Sequence, residues 1–313
     1  MHIENATGVQ KMNYIVFDME WNTPAWSKGM IMNPVPLTGE IMEIGAVKLD
    51  DTMKTLGEFR VYITPQYYRK INRTVQRLTK LRADFLQENG VLFPEAYQRF
   101  MEWCGTDFIF MSWGQNDLPM LLENLRLHGI SAEGLPACID LQSLLGQEIL
   151  HKKQQCSLDD ALTLLGETGD EAHDALHDAR NTVKVCSHLT LNDCIDSCVT
   201  RIFDVEPQRK EYQSQDDIFK DRKLKSFVCP YCKEQIACDT WVKVNHGRSM
   251  AVGVCPKGHE FLLYLNAHET KAGKLRTSRM LYEMTEDLRE SYHKKLKRQQ
   301  EQQRRHKCKA VRQ

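Results

Sequence analysis

Two acidic residues directly follow a short apolar run near the start of the chain. The run occupies residues 14–17 (YIVF), and Asp18 and Glu20 come next. The run is typical of a buried strand, in which side chains two positions apart lie on the same face. Two carboxylates on one face of a buried strand repel each other and are costly to desolvate without a counter-charge. The pair therefore predicts a divalent-cation site, and hard oxygen ligands favour Mg²⁺ or Mn²⁺ over Zn²⁺. The simpler alternative is that either acid caps a turn or faces water.

The next 170 residues alternate between strand and helix patterns. Apolar runs predict further strands at 40–49, 58–63, 108–112 and 137–141. Helical spacing predicts helices at 97–104, 118–128, 158–165 and 174–189. Ser157 is a good N-cap for the third of these helices, and Gly166 ends it. Strands that come first and then alternate with helices indicate an α/β domain with a mixed sheet.

A histidine and an aspartate near the last predicted helix form a second candidate motif. His173 and Asp178 are five residues apart, which is about 140° around an ideal helix, so they cannot share a helical face. They converge on one site only if His173 lies in a loop and Asp178 in the first turns of the helix. The turn-rich residues 167–171 before His173 favour this arrangement. His177 is a rival, because it is four residues from His173 and able to pair with it as a zinc ligand, although a solvent-facing helix residue is the simpler interpretation.

Asp117 stands between the predicted strand 108–112 and the predicted helix 118–128. Taken alone it is weak evidence of a site, because aspartate is also a common helix N-cap.

In this order and spacing the motifs resemble the DEDD exonuclease superfamily. Asp18-x-Glu20, Asp117 after a strand and His173-x₄-Asp178 fit its histidine branch, since the tyrosine branch would have Tyr where Asp174 stands. The resemblance covers about residues 12–190. The phrase from Ser112 to Asp117 is similar to the Eri-like and KapD-like branch of exoribonucleases. Residues 40–47 and the segment 71–81 are similar to the family as well, although Lys80 replaces a common glycine.

The resemblance implies a ribonuclease H-like fold, with a mixed five-stranded sheet flanked by helices, and a 3′→5′ exonuclease over residues 12–200. It implies that Asp18, Glu20 and Asp178 bind two Mg²⁺ or Mn²⁺ ions, with Asp18 bridging them. Asp117 would act through water or hold the geometry. His173 would be the general base, a role that suits a side chain whose ordinary pKa is about 6.5.

The last third of the chain has a different charge and composition. Residues 1–199 carry a net charge of −10 and residues 200–313 a net charge of +10. This asymmetry predicts an acidic catalytic domain joined to a part that meets polyanions, although two solvated surfaces would also explain it. The polar residues 201–226 are predicted to be a linker, and residues 269–313 a charged, basic helical tail.

Between the linker and the tail lies a cysteine-bearing segment, 227–268. Cys229-x-x-Cys232 and Cys255-x₃-His259 are two knuckle-like turns, which predict a zinc-ribbon-like domain with one structural Zn²⁺. Cys238 and His246 are alternative ligands. An odd total of 11 cysteines and the absence of a secretion signal argue against disulfides. Ordinary free cysteines are therefore the alternative to a zinc site.

Candidate contacts to nucleic acid lie beside the motifs. Trp21 and Trp113 adjoin motif acids and are candidates for stacking on terminal bases, with core packing as the alternative. A basic run that includes Arg73 and Arg77 is a candidate for phosphate contacts, with a solvated helix face as the alternative. The full run is Arg69, Lys70, Arg73, Arg77, Lys80 and Arg82.

The expected partners are the 3′ ends of single-stranded RNA or DNA, with RNA favoured. A DNA exonuclease is the nearest alternative, because the motifs do not contact the sugar. A non-catalytic nucleic-acid-binding or protein-docking regulator is the other class, but loss of a motif residue would be expected there, and all five are present. Residues 1–10 are polar, and no apolar run approaches the ~20 residues of a membrane span. The sequence therefore predicts a cytoplasmic protein without membrane partners.

Overall fold

The computed structural model describes residues 12–26, 29–152, 155–190, 198–205, 207 and 209–310, with side chains described up to residue 304. The polar segment 1–10 and the last three residues of the predicted tail lie outside the described residues. Contacts between backbones divide the chain into two compact units. The first comprises the described parts of Met1–Asn22, Ile41–Asp117 and Pro136–Cys198. The second comprises those of Thr23–Glu40, Leu118–Leu135 and Val199–Gln313.

The predicted strands form a mixed sheet in the first unit. They are β1 (Asn13–Asn22), β2 (Glu40–Leu49), β3 (Thr55–Tyr62), β4 (Phe108–Ser112) and β5 (Cys138–Asp140). The order within this unit is β3-β2-β1-β4-β5. Strands β1, β4 and β5 run parallel, whereas β2 and β3 form an antiparallel hairpin. Since β1 and β4 are parallel, their carboxyl ends lie at the same edge of the sheet, which is where such folds bind ligands.

In the part of the chain that the structure describes, seven helices precede the second unit's own strands. They are α1 (Arg73–Thr79), α2 (Ala83–Asn89), α3 (Phe93–Cys104), α4 (Asp117–Leu127), α5 (Leu141–Glu148), α6 (Leu158–Leu165) and α7 (Ala175–Cys186). The sequence predicts α3, α4, α6 and α7, but not α1, α2 and α5. Helix α6 has the predicted ends: Ser157 accepts a hydrogen bond from the Asp160 amide, and Gly166 adopts φ 73°. The α/β class with a mixed sheet flanked by helices is confirmed.

Aromatic side chains fill the core beneath this sheet. Phe17 on β1 contacts Phe110 on β4, with ring centroids 4.7 Å apart. Phe100 of α3 stacks on Phe110 at 5.8 Å, and all three rings are at most 1% exposed. The opposite face of β1 therefore carries Asp18 and Glu20.

The second unit is built on an antiparallel sheet. Its elements are β6 (Val199–Thr200), β7 (Ile202–Phe203), α8 (Gln215–Lys220), β8 (Ser226–Val228), β9 (Gln235–Ala237), β10 (Trp241–Asn245), β11 (Arg248–Val254), β12 (Glu260–Glu269), β13 (Leu275–Glu283) and α9 (Glu286–Ala310). Five strands form the sheet in the order β10-β11-β12-β13-β7, and β8 pairs with β9 as a separate hairpin.

This unit differs from the predicted division into linker, ribbon and tail. Residues 201–226 contain β7 and α8, and they contribute Tyr212, Ile218 and Leu224 to a buried cluster with Leu265. Residues 269–313 contain β13, a strand paired on both edges, before the helix α9 begins. The two segments differ from the prediction because a few buried apolar side chains hold them against the sheet, although their average composition is polar.

Among the described helices, none combines the length and the apolar character needed to cross a membrane.

Candidate active site

Four carboxylates converge at the carboxyl edge of β1 and β4. Asp18 and Glu20 lie on the same face of β1, as the period of a strand requires, and both are half-buried. Asp117 begins α4, after β4 has ended, and is 4% exposed. Asp178 lies in the first turn of α7. The structure therefore brings together acids from three separate parts of the chain.

His173 lies in the loop before α7, as the spacing predicts. Its backbone amide donates to Asp178 Oδ2 at 2.9 Å, and its φ of 66° is in the left-handed region that few non-glycine residues adopt. Donor atoms of Glu20, His173 and Asp178 all lie within 4.8 Å of one another. His177, the rival, is not in this cluster. Its ring Nδ1 lies 3.7 Å from the Asp174 carboxylate.

Gly45 determines how closely α7 approaches the sheet. A Cβ atom at this position of β2 would lie 2.1 Å from the Leu176 amide nitrogen and 2.2 Å from the Ala175 carbonyl carbon. Only glycine allows such a contact between backbones. The contact fixes the first turn of α7, and therefore Asp178, against the strand that neighbours β1.

Burial and mutual repulsion dominate the electrostatics of the cluster. Burial raises the pKa of Asp18 well above its usual range, and repulsion from Asp117 and Asp178 adds to the shift. Burial, followed by repulsion from Asp178, raises the pKa of Glu20 to about 8. Burial likewise raises the pKa of Asp117 to about 7 and that of Asp178 above its ordinary value. The cluster therefore holds its negative charge only at a high energetic cost unless a cation binds.

The residues present fit a divalent cation with oxygen ligands. Their donors are carboxylate oxygens, the ligands that Mg²⁺ and Mn²⁺ prefer. Asp117 Oδ1 is buried and has no hydrogen-bond partner among the residues that the structure describes. Such an orphaned acceptor is expected where an ion or its water is bound.

Glu43, Arg60 and Asp174 form an ionic group beside the cluster, and the sequence analysis did not identify them as site residues. Glu43 on β2 is 1% exposed, and its Oε1 lies 3.2 Å from Arg60 Nε without hydrogen-bond geometry. Arg60 also pairs with Asp174, which caps α7 by accepting from the His177 amide at 3.0 Å. Burial, with repulsion from Asp174, raises the pKa of Glu43 to about 7. An acid inside the apolar stretch 41–47 was the available signal, because a buried charge needs a partner.

Asn22 is a second residue that the sequence analysis did not single out. It ends β1 and is fully buried. Its side-chain amide donates to the carbonyls of Tyr68 (2.8 Å) and Lys70 (3.1 Å), and its oxygen accepts from the Asn72 amide at 2.9 Å. Three hydrogen bonds from one side chain thus hold the start of the basic run next to the strand that carries Asp18 and Glu20.

The predicted nucleic-acid contacts have different surroundings. Arg73 and Arg77 are exposed on α1, and Trp21 is half-buried. Trp113 packs against a buried cluster that includes Leu145 and donates from Nε1 to the Cys156 carbonyl at 3.2 Å. This position favours the core-packing alternative for Trp113.

A second cluster in the other unit contains the predicted zinc ligands. The donor atoms of Cys229, Cys232, Cys255 and His259 lie within 4.8 Å of one another. His259 Nδ1 is 3.2 Å from Cys255 Sγ and 3.6 Å from Cys229 Sγ. Three thiols and one imidazole are an ordinary ligand set for structural zinc. Cys238, one of the alternative ligands, is buried but does not belong to the cluster.

The sequence matches a protein-family model. The model described as "Exonuclease" (RNase_T) matches residues 30–186, half of the chain. Asp117, His173 and Asp178 lie inside this match, whereas Asp18 and Glu20 precede it. No curated protein matches the sequence at a significant level.

Solved structures of nucleases are similar to the chain. Cell-death related nuclease 4 (CRN-4) is 16% identical with a TM-score of 0.51, covering 71% of this chain and 86% of its own. A 3′-exonuclease solved with a histone mRNA stem-loop is 19% identical with a TM-score of 0.49, covering 58% and 83%. E. coli exonuclease I in complex with single-stranded DNA is 12% identical with a TM-score of 0.46, covering 77% and 54%. The likeness to CRN-4 shows that the two chains share a fold.

Proposed function

The chain belongs to the RNase_T exonuclease family and is a metal-dependent exonuclease. We propose that it removes nucleotides from the 3′ end of single-stranded nucleic acid, with RNA favoured over DNA. The observation that carries the proposal is the convergence of Asp18, Glu20, Asp117 and Asp178 at one edge of the sheet, with His173 next to Glu20 and Asp178. These are the residue types that phosphodiester hydrolysis needs.

In this proposal the carboxylates hold two Mg²⁺ or Mn²⁺ ions. Asp18, Glu20 and Asp178 are the direct ligands, and Asp117 acts through its orphaned oxygen or through a water. When bound, the ions lower the pKa of the attacking water and stabilise charge on the attacking and leaving oxygens. The raised pKa values of these acids support the assignment, because a cation relieves the repulsion that causes part of the shift.

His173 is the proposed general base. It is exposed, so a ring nitrogen is accessible to a water molecule at the cluster, and its donor atoms lie within reach of Glu20 and Asp178. Its role is to take a proton from the attacking water. The hydrogen bond from its own amide to Asp178 keeps the residue at the metal ligands while the ring remains free to act.

The exposed basic run is the proposed track for the strand. Asn22 holds the start of this run beside the catalytic strand, and Arg73 and Arg77 lie on the helix that follows. Exposed arginines contact phosphates without reading the bases. The preference for RNA is supported by the likeness of the segment from Ser112 to Asp117 to the Eri-like and KapD-like branch. In this proposal none of the motif residues recognises the sugar, so DNA is tested beside RNA.

We also propose that Cys229, Cys232, Cys255 and His259 bind one structural Zn²⁺. Phe227 and Ile236 of the hairpin β8–β9 already pack in a buried cluster with Ala251 and Phe261 of the sheet, and a bound Zn²⁺ would add a cross-link between this hairpin and residues 255–259.

Degradation of matched 5′-labelled single-stranded RNA and DNA tests the catalytic proposal. With Mg²⁺ or Mn²⁺ the expected product is a ladder that shortens from the 3′ end, and EDTA should abolish it. No ladder with either metal would overturn the exonuclease assignment. Faster degradation of DNA than of RNA would overturn the preference for RNA only.

Single substitutions test the roles of the residues. His173→Ala should lose at least 10²-fold in kcat but keep Mg²⁺ binding in calorimetry, whereas Asp18→Asn should lose both. His177→Ala is the matched control, because His177 is four residues away on the same segment but outside the cluster. Equal Mg²⁺ affinity in the wild type and in Asp18→Asn would contradict the ligand assignment, and loss of activity in His177→Ala alone would move the base to that residue.

A further inference from the structure

The second unit contains a cavity of about 200 Å³ whose walls are strongly basic. Arg126, Arg248 and Arg279 line it, together with one acid, Glu123. Glu123 is engaged by Thr38, which donates from its Oγ1 at 2.7 Å and also from its backbone amide. Burial raises the pKa of Glu123 to about 7. The cavity is therefore surrounded by more positive than negative charge.

Arg126 has a donor that nothing in the described protein uses. Its side chain is 7% exposed. Its Nε pairs with Asp204, and its Nη1 donates to the Arg279 carbonyl at 2.7 Å. Its Nη2 is buried and has no hydrogen-bond partner among the described residues. An unsatisfied buried donor costs about 1–3 kcal/mol, and more when it is charged.

Arg248 is held in the wall without a carboxylate partner among the residues described. Its guanidinium carbon lies 4.0 Å from the centre of the Tyr264 ring, and its buried Nε has no hydrogen-bond partner in the described part of the chain. Stacking on an aromatic ring orients a guanidinium but leaves its positive charge in place. Arg248 and Arg126 both oppose the burial-driven rise in the pKa of Tyr282, so both lie near that hydroxyl.

Thr277 adds a neutral donor to the same cavity. It is 1% exposed, and its Oγ1 has no partner among the described residues. Three residues from three different elements, Arg126 on α4, Arg248 on β11 and Thr277 on β13, thus line one cavity, and each has one buried donor atom without a partner among the described residues. A cluster of this kind is expected where a ligand with several acceptor oxygens completes the structure.

We propose that this cavity binds the phosphate group of a nucleotide, with Arg126, Arg248 and Thr277 as the residues that recognise it. Guanidinium groups match the geometry of phosphate oxygens, and the hydroxyl supplies a donor to a further oxygen. The proposal does not depend on the carboxylate cluster, whose residues all belong to the first unit. The phosphate comes either from a free nucleoside monophosphate or from the backbone of a nucleic-acid strand.

Calorimetric titration of the full chain tests the proposal with three probes: inorganic phosphate, adenosine 5′-monophosphate and a short single-stranded RNA. The titrations use constant ionic strength without added divalent metal, so that the carboxylate cluster does not contribute. Arg248→Gln should weaken phosphate binding at least 10-fold, and Thr277→Val, which keeps the shape of the side chain, should also weaken it. Arg222→Gln is the matched control, because Arg222 is an exposed arginine of the same unit that does not line the cavity.

Each outcome bears on the proposal. Weaker binding in both cavity variants, with wild-type affinity in Arg222→Gln, supports it. An affinity for RNA that is also lost in Arg248→Gln identifies the strand backbone as the source, whereas a loss confined to the monophosphate identifies a free nucleotide. No saturable binding of any probe by the wild type, or equal affinity in wild type and Arg248→Gln, overturns it. Arg248→Lys keeps the charge and serves as the second variant if Arg248→Gln does not fold.

Discussion

Substitution of Gly45 by alanine tests how the sheet positions the proposed catalytic groups. The added Cβ would lie 2.1 Å from the Leu176 amide nitrogen, 2.2 Å from the Ala175 carbonyl carbon and 2.5 Å from its oxygen. All three are backbone atoms, so no side-chain rotation relieves the overlap. Ordinary contacts begin at 3.4 Å, so β2 and the first turn of α7 must separate by about 1.3 Å to accommodate the methyl group.

This displacement acts directly on the proposed site, because Asp178 lies in that turn. A misplacement of about 1 Å can reduce a reaction rate by about 10²-fold. We expect Gly45→Ala to lower kcat/KM by about that factor and the free energy of unfolding by about 1–3 kcal/mol. The same substitution at Gly57 on β3 is the control, because a Cβ there meets nothing within 4 Å.

The assay compares the initial rates at which 5′-labelled RNA shortens from its 3′ end in Mg²⁺. It is run at a temperature where circular dichroism shows both variants folded. Urea unfolding supplies the stability difference. If Gly45→Ala is as active as Gly57→Ala to within a factor of two, the close contact between β2 and α7 does not position Asp178, and the reasoning is refuted.

Three further perturbations have expected outcomes. The raised pKa of Glu43 means that the folded state holds its proton more tightly, so stability without metal should fall as pH rises from about 4.5 to about 7. Glu43→Gln should remove up to about 3 kcal/mol of this dependence, and unfolding curves of equal pH dependence in the two proteins would contradict the assignment. Cys255→Ser should lose bound zinc, measured by elemental analysis, and should have a lower unfolding temperature. Cys238→Ser should retain the metal. Zinc loss in the Cys238 variant alone would show that Cys238, and not Cys255, is the ligand. Asn22→Ala breaks the three hydrogen bonds that hold the basic run and should raise KM for oligonucleotides more than it lowers kcat, while an unchanged KM would separate that run from substrate binding.

Signals that act over a few residues were readable from the sequence. Helix α6 has the expected ends for local reasons. Ser157 accepts a hydrogen bond from a free amide at the start of the helix, and Gly166 adopts the left-handed conformation at its end. Asp18 and Glu20 share a face because the period of a strand is two. The position of His173 before the helix follows from the turn-rich residues that precede it.

Contacts between distant segments were not readable in this way. Gly45 and α7 are 130 residues apart, and nothing in the stretch 40–49 states that a helix will approach this glycine. The partners of Arg60 on β3 could not be predicted either, since Glu43 lies on β2 and Asp174 caps α7. Such pairs follow from the topology of the sheet, which local periodicity does not determine.

Residues 201–226 show why composition alone misleads about a linker. The segment is polar, yet Tyr212 forms two backbone hydrogen bonds of 2.8 Å with Leu275, and its hydroxyl donates to Asp221. One bridge of this kind and a few buried apolar residues are enough to fix a polar segment on a sheet. Low average hydrophobicity therefore does not exclude order where the apolar residues are placed at the points of contact.

The second unit also uses residues from inside the exonuclease-family match. Arg126 on α4 pairs with Asp204, and Asn33 accepts a hydrogen bond from Arg276 on β13. Both partners of these contacts belong to the second unit, but Asn33 and Arg126 lie within residues 30–186. A chain cut near residue 200 would remove both Asp204 and the Arg279 carbonyl, which bind the Arg126 guanidinium in the full chain, and α4 would lose the contacts that these residues provide. The boundary of the family match is therefore not a boundary of folding, and the C-terminal third stabilises part of the region that contains the exonuclease motifs.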